Sequence, residues 1–264
     1  MREVCGTHVL VCALLFATAG TAAAQGNYEI QVYAAPTVEP KTTMFELHSN
    51  YTFDGQRGIV GGVAGAYHAL HETVEITQGL TSWSEVGFYY FTSGQKGTGV
   101  NWVGSHIRPR VRVPDSWKWP VGVSLSMEMG YQRALFDEDT WSWEIRPIIY
   151  KQLGKLYVGL NPVFDRAWKG PGTTRGVGFE PNVKVGYDFT KQVNAGIEYY
   201  GAMGKWGDFD PKNEQQHMFF AAMDLDVSPD WEFNAGMGVG VTPATDHLIL
   251  KMILGRRVSW GGKK

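Results

Sequence analysis

From about residue 42 to residue 260, apolar and polar positions alternate in short runs broken by tight turns or longer Gly-rich polar links. The stretch 181–200 shows the unit. Pro181, Val183, Val185, Tyr187 and Phe189 share one face of a strand, and Asn182, Lys184, Gly186 and Asp188 share the other. A turn at 190–192 follows. The return strand then sets Val193, Ala195, Ile197 and Tyr199 against Asn194, Gly196, Glu198 and Tyr200. Strand side chains alternate with period two, so each run carries one apolar and one polar face. The pattern predicts about twelve strands, at 42–53, 65–79, 83–93, 102–113, 119–131, 141–151, 155–165, 178–189, 193–202, 215–227, 231–242 and 247–260. Hairpins in series build an all-β, closed up-and-down antiparallel barrel.

The links alternate in length. Short ones fall near 79–82, 114–118, 152–155, 190–192 and 228–230. Longer ones fall near 54–64, 92–101, 132–140, 166–177 and 202–214, with a shorter one at 242–246. Short periplasmic turns and longer outer loops are the asymmetry of a transmembrane barrel of the bacterial outer membrane. An even strand count places both chain ends on the periplasmic side.

The direction of the apolar face decides between a soluble barrel and a membrane barrel. Phe45, Trp83, Trp117, Trp119, Phe189, Trp231, Phe233 and Trp260 band one set of strand ends. Phe53, Tyr131, Trp141, Trp143, Phe164, Phe179, Tyr199 and Phe219 band the other. Aromatic girdles around an aliphatic middle suit the two bilayer interfaces. The polar face is too charged for a packed soluble core, although a water-exposed outer face around an apolar core is the competing reading. Turn centres set Lys184 opposite Glu198, Glu128 near Glu144 with Arg146 a step along, and Arg257 near Glu46 across the closing seam. Leu248, Leu250, Met252, Leu254, Val258 and Trp260 resemble the terminal strand by which such barrels are recognised for assembly, and Arg256 can snorkel to the headgroups. Pro109, Pro147, Pro162 and Pro181 fall inside strands on the apolar face, where bulges or register breaks are expected.

Residues 1–24 read as a secretion signal, with Arg2, an apolar core over 9–17 and Ala22-Ala23-Ala24 before Gln25. Residues 25–41 form an extended periplasmic leader that hangs below the barrel or folds into it; the barrel proper is 42–264. Both cysteines, Cys5 and Cys12, lie in the signal, which leaves no disulfide framework, Cys metal site or thiol nucleophile. A formal net charge of -2 offers no basic excess for nucleic acid. No cofactor is expected.

The candidate solute path is the polar face: His106, Arg108, Arg110, Arg112, Glu128, Glu144, Arg146, Lys184 and Glu198. The 108-110-112 arginine ladder could attract anionic solutes. Alternatively, its arginines pair with Glu85, Glu128 and Glu144 and brace a narrow lumen. His48 and Ser49 are neighbours on one strand and point to opposite faces, so they form no catalytic dyad there, and no G-x-S-x-G occurs. A lumenal His48/His71/Glu75 metal site is weaker than an ordinary polar lining, and no metal site is assigned.

The hairpin unit Ile76-Thr77-Gln78-Gly79-Leu80-Thr81…Glu85-Val86-Gly87 is echoed by Val185-Gly186-Tyr187-Asp188-Phe189-Thr190…Ala195-Gly196-Ile197-Glu198. On these units the chain resembles the bacterial outer-membrane proteins grouped as putative "MetA-pathway of phenol degradation" transporters. The resemblance implies a barrel with a transport role and brings no binding residues. The expectation is therefore a porin-like channel or facilitator for passive passage of small solutes, not an enzyme. Its partners would be outer-membrane lipid, the barrel-assembly machinery and a small-molecule solute, with no nucleic acid. The alternatives are a closed barrel with a structural or interaction role and a surface lipid-modifying enzyme.

Overall fold

The computed structural model describes residues 27–261; the expected signal, 1–24, lies outside the described residues. The barrel strands are β1 (Thr42–Asp54), β2 (Ala69–Thr81), β3 (Ser84–Gln95), β4 (Gly99–Arg112), β5 (Gly122–Gln132) and β6 (Trp141–Leu153). They continue as β7 (Leu156–Lys169), β8 (Gly178–Asp188), β9 (Val193–Ala202), β10 (Gln216–Ser228), β11 (Trp231–Gly240) and β12 (Leu248–Ser259). Each pairs antiparallel with its sequence neighbour. β12 returns to β1, from Thr42↔Ser259 to Asp54↔Leu248, and closes the wall. Closure gives every strand a partner on both sides.

Alternation then fixes what faces where. His48, Glu75, Asn161 and Lys251 are fully buried, while Leu47, Ile76, Phe88, Ile107 and Leu254 are exposed. Polar groups line the inside and aliphatic groups coat the outside, the reverse of a soluble barrel. Such a coat is stable against lipid and not against water. Trp83, Trp117, Trp119, Phe189 and Trp260 are exposed at the end with the tight turns, and Phe53, Trp102, Trp141 and Phe219 at the end with the long loops. Across strands the rings touch: Trp102, Tyr131 and Trp141 follow one another with centroids 5.8 and 5.6 Å apart.

Several local expectations are corrected. The long link near 92–101 is a tight three-residue turn, because β3 and β4 run on to Gln95 and Gly99. Gly97 (φ 96°) and Gly99 (φ 71°) take the left-handed conformations that this turn needs, and Thr98 N–H bonds the Gln95 carbonyl. The prolines cause no bulge. Pairing of β4 with β5 lapses at Arg108 and Pro109 and resumes in the same register. Pairing of β6 with β7 lapses around Pro147 and Pro162, which face each other across that seam. Placed there, two missing N–H groups fall on one seam, and the other seam of each strand stays whole at Leu125↔Pro147 and Pro162↔Pro181. The bulges lie near strand ends instead, at Thr52/Asp54, Gly79/Thr81 and Trp141/Ser142 among others.

The segment before β1 does not hang below the barrel. It threads the lumen, so the described chain begins at the loop end and only the two ends of the wall lie at the turn end. Tyr28, Ile30, Val32, Tyr33 and Ala35 are all buried there.

Candidate functional site: the lumen and the segment within it

A segment lying inside a barrel has backbone groups that no sheet rung serves, and each needs a partner. Wall side chains supply them. Asn50 donates to the Asn27 carbonyl (3.0 Å), Thr73 to that of Tyr28 (2.8 Å) and Lys251 to that of Ile30 (3.1 Å). Asn161 accepts from Tyr33 N–H (2.7 Å) and donates to its carbonyl (3.0 Å), copying a strand rung with a side chain. Arg110 reaches the carbonyls of Ala34 (3.3 Å) and Pro36 (2.9 Å), and Glu85 accepts from Val38 N–H (2.6 Å). At the loop end, Asn27 donates to Asp246 (2.7 Å).

The apolar contacts of the lumen also centre on this segment. Tyr28 packs with Tyr89, Phe91, Val103 and Phe136; Ile30 with Met218, Phe220, Ala222 and Ile249; Tyr33 and Ala35 with Ile148. Three small hydrophobic clusters therefore form, each seated on a leader side chain. Gly79 of the hairpin unit has a second role beyond its turn. A Cβ there would lie 2.1 Å from the Glu39 carbonyl oxygen, so the leader's exit requires glycine.

The charged residues form local networks along the wall. Arg108 pairs with Glu75 and with Glu85 (3.2 Å), and Arg110 with Glu85 (2.7 Å). Arg146 pairs with Glu144 (2.8 Å) and with Glu29 of the leader (3.5 Å). Tyr33 sits among the three guanidiniums, 5.2, 5.6 and 5.1 Å from Arg108, Arg110 and Arg146. Across the lumen, Glu198 joins Lys184 (3.1 Å) and Lys251, and Lys184 also meets Asp224 (2.5 Å). His106 Nδ1 lies 2.6 Å from Glu128.

Of the sequence-derived path residues, His106, Arg108, Arg110, Glu128, Glu144, Arg146, Lys184 and Glu198 are buried inside. Arg112 is not with them. It sits at the turn-end mouth and pairs with the exposed Asp115. The registers Lys184↔Glu198 and Glu128↔Glu144 are as expected. The closing seam differs: Arg257 lies opposite Met44 and pairs with Glu232, whereas Glu46 stands directly opposite Glu75. Glu128 pairs with His106, and Arg108 takes Glu75 as well as Glu85, so the bracing pattern includes partners the sequence reading did not name. Sequence reasoning left Glu29, Tyr33, Glu75, Tyr89 and Lys251 out of the path. The leader's own alternation at Tyr28, Ile30 and Val32 was the available signal for an inserted strand.

His48 points inward, whereas Ser49 donates to Glu72 on the other side of the wall (2.9 Å). His71 stacks edge-on against Tyr28 with ring centroids 4.6 Å apart and does not join His48; Glu46 does. Cavities lie beside the leader at both ends of the lumen. One of about 520 Å³ opens at the turn end, lined by Glu46, Arg110, Glu232 and Arg257. One of about 210 Å³ lies at the loop end, between Tyr28, Ile59, His71 and Phe136.

No family model and no curated protein matches the chain. Solved structures do match. The COG4313 outer membrane channel from Pseudomonas putida F1 superposes with a TM-score of 0.58 at 9% identity, over 87% of this chain and 100% of that one. The NanC porin gives 0.53 at 10% identity over 80% and 97%, and the KdgM porin 0.51 at 8% over 83% and 99%. The shared property is the fold, that of outer-membrane barrel proteins.

Proposed function

We propose that this protein is a bacterial outer-membrane channel that passes small solutes passively, with residues 27–41 as its resident plug. One observation carries the reading. The wall-to-wall ion pairs join side chains no more than three strands apart, as in Lys251 with Glu198, and the middle of the lumen is filled by a separable segment. A wall braced for its own sake would fill that middle with its own side chains, as eight-stranded barrels do. The structural neighbours, named as channel and porins, support the reading at the level of fold. Lipid then contacts the aliphatic coat, and the terminal strand ending at Trp260 serves recognition by the assembly machinery. The finer placement among the "MetA-pathway of phenol degradation" transporters rests on the hairpin unit at Ile76–Gly87 and its echo at Val185–Glu198.

The same reading makes the chain a non-enzyme, since His48 and Ser49 serve opposite sides of the wall. The closed-barrel alternative is favoured by the pairing of Arg108, Arg110 and Arg146. Planar-bilayer recordings decide between them. A refolded variant lacking residues 25–36 conducts steadily and the intact chain opens rarely; silence of the deletion variant refutes the channel. In the deletion background, replacing Arg108, Arg110 and Arg146 with Gln shifts ion selectivity towards cations. Release of fatty acid from phospholipid by the intact protein would instead identify a lipid-modifying enzyme.

A further inference from the structure

Glu46 and Glu75 are directly opposed across β1 and β2, and both are buried. Like charges in that position repel, more so away from water. Another opposed pair of lumen carboxylates, Glu128 and Glu144, has a nitrogen partner for each, His106 and Arg146. The Glu46 pair does not. Arg108 takes Glu75 Oε1 and Arg257 takes Glu232, a third carboxyl that lies in hydrogen-bond contact with Glu46, and Glu46 itself joins none of the ion pairs among the described residues.

What faces the two carboxylates is His48, two residues along β1 on the same inward face and fully buried. Neither of its ring nitrogens makes a hydrogen bond, and Glu75 Oε2 makes none either. His48 Nε2 and Glu75 Oε2 lie 3.4 Å apart, beyond a good hydrogen bond. For two ligands of one ion the spacing fits. With metal–ligand bonds of about 2.1 Å, it subtends about 110° at the metal, the tetrahedral angle. A ligand atom from each of Glu46, His48 and Glu75 lies within 4.8 Å of the others. Glu46 also lines the turn-end cavity, which gives an ion a route in and room for water.

We propose that Glu46, His48 and Glu75 bind a divalent transition-metal cation, with Zn²⁺ the best fit, and that water from the cavity completes its shell. One imidazole with two carboxylates suits such an ion better than Ca²⁺ or Mg²⁺, which take oxygen ligands in larger number. Arg108 acts as an outer partner, holding Glu75 Oε1 so that Oε2 turns to the ion. The cation neutralises a repulsion in the wall, and the site stands whether or not the barrel conducts.

Isothermal titration of untagged, refolded protein with Zn²⁺ tests this. One equivalent binds to the unaltered chain, and His48→Gln and Glu46→Gln each weaken binding at least tenfold, whereas His71→Gln does not. Heat-modifiable gel migration confirms that each variant is folded. Co²⁺ added to the unaltered protein gives a second measurement, free of any variant: the intense visible bands of a four-coordinate ion. No stoichiometric Zn²⁺ binding, binding indifferent to both His48 and Glu46, or the weak spectrum of six-coordinate Co²⁺ would overturn the proposal.

Discussion

Ile30 is the point at which the plug can be loosened without touching the wall. Its side chain is 4% exposed and packs against Met218, Phe220, Ala222 and Ile249. Its carbonyl accepts from Lys251, a bond that an alanine retains. Ile30→Ala removes buried methyl and methylene groups and leaves a cavity, at a cost of about 2–4 kcal/mol. The wall strands do not depend on this side chain, so the cost falls on seating the leader. At about 1.4 kcal/mol per factor of ten, the unseated fraction rises by about 30- to 700-fold. Single-channel recordings read this directly as the time spent open, and gel migration checks that the barrel is intact. If Ile30→Ala opens no more often than the unaltered chain while the 25–36 deletion conducts, the leader is not released through this anchor and the reasoning fails.

Further outcomes follow from other contacts. Asn161→Ala strips both partners from the Tyr33 peptide groups, each worth about 1–3 kcal/mol when left unsatisfied, so the leader becomes cleavable by added protease while the barrel stays resistant. Lys251→Met removes one of the cations on Glu198, which keeps Lys184, and costs about 1–3 kcal/mol in urea unfolding; the double variant with Glu198→Gln recovers part of that loss. Burial in the loop between β5 and β6 pushes Asp137 up to about 7, the Asp139 N–H bond opposing the rise. Its folded value lies above the unfolded one. The loop's closed form is therefore favoured fully below about pH 4 and loses that support as pH rises towards 7. Hydrogen exchange across 133–140, corrected for intrinsic rates, shows greater protection at pH 5 than at pH 8, and Asp137→Asn removes the difference.

The strands were legible because a wall between lipid and a polar lumen enforces period two at nearly every position. Lys184 opposite Glu198 follows from the short turn at 190–192, which fixes register, and Glu128 near Glu144 from the centre of the longer 132–140 loop. The closing seam was not legible in the same way. No turn joins β12 to β1, so nothing local says that Met44, and not Glu46, stands opposite Arg257. The opposed pair Glu46 and Glu75, and with it the cluster around His48, was hidden on another seam, where β1 and β2 are joined by the long 55–68 loop and no short turn fixes register. Arg112 was assigned to the lumen on alternation, but β4 ends there and its side chain meets the 3₁₀ turn at Asp115–Trp117. The leader's location was illegible for a different reason. Its alternation suits a strand, but its partners are side chains from β1, β2, β3, β4, β6, β7 and β12, a set no sequence window contains.

The leader also accounts for features of the wall that alternation leaves arbitrary. Packed sheets stand about 10 Å apart, so one extended chain with its side chains needs a lumen of that order. Eight strands give less and sixteen far more, and twelve match a single inserted strand. The wall meets the leader's carbonyls with the donors Asn50, Thr73, Arg110, Asn161 and Lys251, and accepts from its Tyr33 and Val38 N–H groups through Asn161 and Glu85. The leader brings one carboxylate deep into the lumen, Glu29, which meets Arg146. Its apolar side chains meet inward-facing Phe91, Ile148, Phe220 and Ile249, residues that a water-filled pore would not favour. On the proposed channel reading, a solute that replaces the leader meets the same surface. It does best with acceptors for Arg110 and Lys251 and a compact apolar body for the clusters left by Tyr28 and Ile30. The charged lumen is then neither simple bracing nor a simple anion filter, because its donors are arranged for the backbone of the chain that fills it.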